Sequence, residues 1–303
     1  MPLPDLLALC NSPIGGARRG IVSYLLKEKN VKTKLGSVTV LLICFAMACA
    51  TPYGVAQTKD KDKAKDRPTI SAGERALAML EVQNTMSKHA FFHSAGKNYE
   101  ELDAIWVKKT PGATFSNPRG SWVEIENIRA SYGEANRDNQ KKSMEALAKK
   151  YPEIKVSPES LGVGEWLIHT LTTPIVEVAG DGKTAKAMWY SPGAMVGAKP
   201  DGTASGTWFF EKYGVDFVKE DGQWRIWHIQ MFYDLTGPLE KGLADVPVRA
   251  GGPREAAERP AEDPRMKMQK SQPNPYKDWS PTTVPTMVRF PEPYYTFSET
   301  FSY

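Results

Sequence analysis

The sequence predicts an α+β fold, with helices first and an antiparallel sheet after them, and three observations carry that reading. Up to Lys150 the apolar residues recur three or four apart, the spacing of helices that bury one side. After Pro158 the chain changes to short runs rich in aromatic and β-branched residues, as strands require. Gly180-Asp181-Gly182 and Asp221-Gly222 are tight-turn signals that join the flanking runs into antiparallel hairpins.

Taken in order, Ser71 ahead of Glu74 forms a capping pattern, and Ala76, Leu77, Leu80, Asn84, Ser87 and Phe91 mark a long first helix ending near Gly96. Residues 99–108 form a second, shorter helix with Leu102, Ile105 and Trp106 on one side. Prolines and glycines on either side of Ala113-Thr114-Phe115 suit a short strand between turns. Trp122, Ile125, Ile128 and Tyr132 resume a helical spacing over 121–133, and 136–150 reads as a polar helix on the outside. Strands are expected over 165–172, 175–179, 184–191, 203–219 and 223–233. From Thr236 the chain is rich in proline and closes on Tyr294, Tyr295, Phe297, Phe301 and Tyr303. Aromatics this large are expected to dock on the domain or on a second copy of it.

The organisation predicted is a leader over 1–56, a charged spacer over 57–71, the domain over 72–240 and a wrapping tail over 241–303. The stretch 35–50 is apolar, follows Lys32 and Lys34, and leads to Gly54-Val55-Ala56, the small residues a signal peptidase reads. An exported protein, periplasmic or secreted, is expected, with residue 31, where Val-Lys-Thr-Lys resembles the beginning of such a signal, as the alternative start. At about 16 residues the stretch is short of the roughly 20 a spanning helix needs. Membrane association is therefore expected only through an uncleaved signal or a lipid at Cys49. All three cysteines (Cys10, Cys44, Cys49) precede the cleavage point, so the mature chain would carry no disulfide, thiolate nucleophile or cysteine metal ligand. The net charge of +4 comes partly from the leader and the Lys/Asp run, and no basic motif with interleaved aromatics occurs, which sets nucleic acid aside.

The chain holds four histidines. His89 and His93 lie four apart and share a face of the first helix; such a pair can hold a metal, but no third ligand stands at a diagnostic spacing, so no metal is expected. Strand alternation sets His228 and Gln230 beside Trp224 and Ile226, the inner side if those two are core. It also groups Thr207, Phe209, Glu211, Tyr213, Val215 and Phe217 on one face. A carboxylate and a phenol among apolar neighbours form either a structural pair or an acid/base pair. The tryptophans and tyrosines read as core, with some available to wall a flat pocket.

Tyr99-Glu-Glu-Leu-Asp-Ala-Ile-Trp106 followed by Ser121-Trp-Val-Glu-Ile-Glu-Asn-Ile-Arg-Ala-Ser-Tyr132 resembles the SnoaL-like branch of the nuclear-transport-factor-2-like superfamily. The runs 169–185 and 213–226 look like that family's strands. The resemblance covers roughly 75–235. It implies a cone-shaped curved antiparallel sheet packed against the N-terminal helices, a deep pocket between them, no cofactor, and a homodimer formed through the outer sheet face. It also implies that the inner side of the first helix lines the pocket and that His169 matches the strand histidine that serves as base or acid in the family's dehydratases. The tyrosine and aspartate those dehydratases carry on the first helix are absent: Ala90, Phe91, Phe92 and His93 occupy that stretch.

The function expected is a cofactor-free lyase, by dehydration or retro-aldol cleavage, acting on an aromatic or polycyclic small molecule. His169 or His93 would take a proton, Tyr213 or Glu211 would return one, and His228 would assist. His89, Phe92, Tyr99, Trp106, Tyr190, Trp208 and Gln230 would line the ligand. The alternative is a ligand-binding or dimerising module without catalysis.

Overall fold

The computed structural model describes residues 67–245, 263–270, 282, 284 and 286–303. The expected signal, the start site and residues 57–66 of the expected spacer lie outside the described residues, as do 246–262 and most of 271–285 in the tail. The end of the spacer is ordered: the Ile70 amide donates to the Gly180 carbonyl and Ser71 caps the first helix. Among the described residues, no helix is long and apolar enough to cross a membrane.

Helix α1 (Ala72–Ser94) opens on the expected capping box: the Ser71 hydroxyl accepts the Glu74 amide and the Glu74 carboxylate accepts the Ser71 amide. It stops where Gly96 takes a left-handed conformation, φ 65°. Ala78, Val82, Met86 and His89 form its buried line. Leu77, Leu80 and Phe91 are 58%, 60% and 79% exposed, so the apolar residues that mark the helix do not face the sheet. Helix α2 (Asn98–Ile105) follows and buries Glu101, Leu102 and Ile105.

Strands β1 (Thr114–Asn117) and β2 (Gly120–Val123) form a small hairpin that pairs Phe115 with Trp122. The helical reading of 121–133 therefore holds only from Ile125 onward. Trp122 satisfies a helical spacing, but cross-strand packing on Phe115 at 5.6 Å between ring centres claims it for the sheet. Helix α3 (Ile125–Ile128), a π-helical segment (Arg129–Ala135) and α4 (Asn136–Ala148) then run on continuously. The polar helix expected outside does bury Met144 and Leu147.

Strands β3 (Glu165–His169), β4 (Thr172–Val178), β5 (Thr184–Ala198), β6 (Ala204–Glu220) and β7 (Gln223–Pro238) complete one seven-stranded sheet. Its order is β2-β1-β7-β6-β5-β3, with β4 also on β5, and every pair is antiparallel except β1 with β7. β5 exceeds its expected length because β3 pairs with its second half after β4 pairs with its first. The β6–β7 turn has φ 50° at Asp221 and 79° at Gly222, the primed-turn geometry that fits strand twist. The inner face carries Trp189, Tyr213, Val215, Phe217, Ile226 and Ile229 against α1, α2 and the π turns.

Two places on β7 hold an extra residue, Trp227 opposite Asp216/Phe217 and Asp234 opposite Phe210/Glu211. The first reverses the inside-outside alternation up to Tyr233, and the second restores it. His228 and Gln230 consequently sit on the outer face, not the inner one expected for them, while Ile229 and Met231 turn into the core.

The end of the tail lies on that outer face. Gly180 and Asp181 donate to the carbonyls of Tyr294 and Tyr295, and Ser302 and the Tyr303 amide donate to Asp216. Gly214 admits the Tyr303 ring, since a Cβ there would stand 2.3 Å from it. Beneath, Lys186 and Asp216 form a fully buried ion pair at 2.6 Å, with the lysine under the Phe297, Phe301 and Tyr303 rings. Part of the face through which the family resemblance implies dimerisation is thus occupied by the chain itself.

Candidate active site

The site is built from α1, α2, the π turns, β3, β5 and β6. His89 and His93, one turn apart on α1, stack at 5.5 Å between ring centres. At the end of β3, His169 meets His93 edge-on at 4.7 Å and lies 6.4 Å from His89. Tyr213 approaches His89 at 5.6 Å and His169 at 5.7 Å. The sheet contributes its side by alternation: Ser191, Gly193, Phe209, Glu211 and Tyr213 share the inner face. A Cβ on Gly193 would stand 2.3 Å from the Phe209 ring, so glycine allows that ring to lie against His169 at 5.1 Å.

Glu101 organises the α-helical side. Its Oε1 accepts from His89 Nδ1 at 2.8 Å and Trp106 Nε1 at 2.9 Å, and its Oε2 accepts the Tyr132 hydroxyl at 2.8 Å. Three donors on a wholly buried carboxylate suit an ionised group, which can only accept. Burial pushes Glu101 upward, but its closeness to His89 and the hydrogen bonds from His89 and Trp106 outweigh it and hold the carboxyl below its usual range. Because Tyr132 gives its proton to Glu101, His93 Nδ1, 2.8 Å from the Tyr132 oxygen, must donate to it. Both helical histidines thus spend Nδ1–H on a partner. His89 Nε2 is buried with no hydrogen-bond partner.

The sheet side behaves oppositely. Glu211 is buried beside the Asp234 charge, and burial first, repulsion second, push it up to about 8. Its Oε2 has no hydrogen-bond partner and stands 3.7 Å from His169 Nε2. Burial lowers His169 to about 2, helped by His93 and His89, while Ser191 Oγ sits 3.1 Å from its Nδ1. His93 falls to about 4 for the same first reason. Burial raises the Tyr132 and Tyr213 phenols well above their ordinary value. Two carboxyl groups of one cluster are therefore driven apart, Glu101 ionised and Glu211 protonated at neutral pH.

Of the residues singled out from sequence, His89, His93, His169, Glu211 and Tyr213 come together here. Trp106 is near but serves as a core residue that orients Glu101. Phe92 is half-buried on α1. Five others lie elsewhere. Tyr99 sits under Arg129 and Arg137, Tyr190 is an exposed outer-face residue, Trp208 donates to the Lys241 carbonyl on that same face, and Gln230 is turned outward by the β7 bulge. His228, expected to be catalytic, is on the outer face too, bonded to Asp216, Gly112 and Ser302. Sequence reasoning missed Glu101, Tyr132 and Ser191. Glu101 carried a usable signal, an acid four residues before Ile105 on the apolar side of its helix. Among the described residues, no group of three or more His, Cys, Asp or Glu is arranged to hold a metal ion.

A family model described as the SnoaL-like domain matches residues 74–230, just over half of the chain. No curated protein matches significantly. Among solved structures, the chain is similar to a protein from Novosphingobium aromaticivorans DSM 12444 provisionally named a scytalone dehydratase, at 15% identity, covering 62% of this chain and 100% of that one with a TM-score of 0.40. It is also similar to the Kfla4162 protein from Kribbella flavida, at 12% identity over 54% and 94% of the two chains with a TM-score of 0.39. A third is the hexachlorocyclohexane dehydrochlorinase LinA-type3 from Novosphingobium barchaimii LL02, at 15% identity over 56% and 94% with a TM-score of 0.37. Values at this level bear on no activity.

Proposed function

The chain belongs to the SnoaL-like domain family, and on that premise we propose that its inner cluster is the acid/base site of a cofactor-free lyase acting on a small, aromatic molecule in an exported protein. The observation that carries this reading is the split pair of carboxyl groups. Glu101 holds His89 in the tautomer that presents a lone pair at Nε2, and Glu211 keeps a proton at neutral pH. In an elimination, His89 Nε2 takes the proton from carbon, its electrons form the new double bond, and the departing oxygen leaves with the Glu211 proton. His169 and Tyr213 lie between these groups and bear on the substrate. The role first expected of His169 or His93 as base passes to His89, because it alone of the three has the ionised partner.

The test is incubation of the exported form with aromatic β-hydroxy carbonyl compounds, read by loss of water in the mass spectrum. Conversion by the wild type is expected, with Glu101→Gln and His89→Gln slower by about 10²- to 10⁴-fold. Equal turnover by Glu101→Gln would remove the base assignment. The tight burial of the cluster, with His89 only 1% exposed, favours a second reading in which the same groups hold a ligand or merely build the core. That reading wins if compounds of this class raise the melting temperature and none is converted.

A further inference from the structure

A cavity of about 460 Å³, partly open to solvent, lies on the outer sheet face between β1, β7 and the tail, away from the histidine cluster. Its size falls within the range of small-molecule sites. Three properties of its lining agree on one kind of occupant. Lys270 and Arg289 bring two cations, and no carboxylate side chain is among the described lining residues. The nearest buried acid, Asp216, is spent on Lys186, His228 and Ser302. Arg289 lies over the Phe301 ring at 4.2 Å, which braces its guanidinium at the rim, and its ion pair with Glu292 at 3.7 Å joins two solvent-exposed side chains, so it is weak enough for a ligand carboxylate to compete with. Thr114, on the lining from β1, has a buried hydroxyl with no hydrogen-bond partner, an arrangement that costs stability until something bonds it. Phe232, Met287 and Val288 supply an apolar wall.

We propose that this cavity is a second ligand site, for a small amphiphilic carboxylate whose apolar body lies on Phe232, Met287 and Val288 and whose head is met by Arg289, with the Thr114 hydroxyl as a further donor. The family match ends at residue 230, so the arginine and the wall from the tail are additions of this chain and not features of the shared domain. The site stands independently of the reading given for the inner cluster.

Calorimetric titration of the full exported chain with decanoate, and with decanol as its uncharged counterpart, tests the proposal. Decanoate is expected to bind at least about tenfold more tightly than decanol, a preference that Arg289→Met abolishes. Thr114→Val is expected to weaken decanoate several-fold while leaving the melting temperature of the free protein unchanged or raised, since the hydroxyl it removes bonds nothing. Glu211→Gln, in the inner cluster, is expected to leave the affinity as it is. Absence of decanoate binding, equal affinity for acid and alcohol, indifference to both outer-face substitutions, or loss of binding in Glu211→Gln would each overturn it.

Discussion

Burial acts on Glu211, His93 and His169 alike by resisting charge, and because one is an acid and two are bases it moves them in opposite directions. The histidines, lowered from 6.5 to about 4 and about 2, stay neutral in the fold while the unfolded chain protonates them. Their contribution is complete above pH 6.5 and is lost as pH falls below that value toward the folded ones. Glu211, raised from 4.5 to about 8, holds a proton the unfolded chain has already released. Its contribution is complete below 4.5 and is lost as pH rises to about 8. Between 4.5 and 6.5 two histidines outweigh one carboxyl, and above 6.5 only the carboxyl remains. The melting temperature should therefore peak near pH 6.5 and decline on both sides. Glu211→Gln should flatten the alkaline limb and steepen the acid one, and a wild-type curve flat from pH 6.5 to 8 would show that Glu211 is ionised in the fold.

Among elements, legibility follows how local the deciding interaction is. The α1 cap and the β6–β7 turn are each settled within four residues, and both were readable. Alternation along β6 also held, placing Glu211 with Tyr213, Val215 and Phe217, because β6 keeps one residue per partner. On β7 the same rule failed from Trp227 onward: the bulge there contains no glycine and leaves no mark in the chain, and it sent His228 and Gln230 to the wrong face. The capping box permits a prediction at this scale. Ser71→Ala should remove one of the reciprocal bonds and cost about 1 kcal/mol by chemical denaturation. His89 and His93 stand more than four turns further along, so turnover and ligand binding should not change. A loss of activity without a loss of stability would mean that the start of α1 reaches the site by a route other than its own first turn.

Over the whole molecule, the order of helices before strands was visible from composition, whereas the site was visible only in part. Glu101, Tyr132 and Ser191 converge on histidines 12, 39 and 22 residues away, and no periodicity reports such separations. The tail shows the same limit. Its aromatics signalled docking, but only the structure names what they cover: the buried Lys186–Asp216 pair. Burial lowers Lys186 while the Asp216 charge and hydrogen bond oppose that, so the pair depends on staying together. Removing residues 297–303 would take three rings from above the lysine and two donors, Ser302 and the Tyr303 amide, from the aspartate. The pair itself would survive, now open to water, so the domain should still fold with a loss of about 2–4 kcal/mol, the worth of one or two buried aromatic side chains. Met188 and Phe232, freed of Tyr303, would add to the apolar surface. The shortened chain should therefore melt lower and sediment as a self-associating species. An unchanged melting temperature together with a monomeric profile would mean that the tail rests on the sheet without holding it.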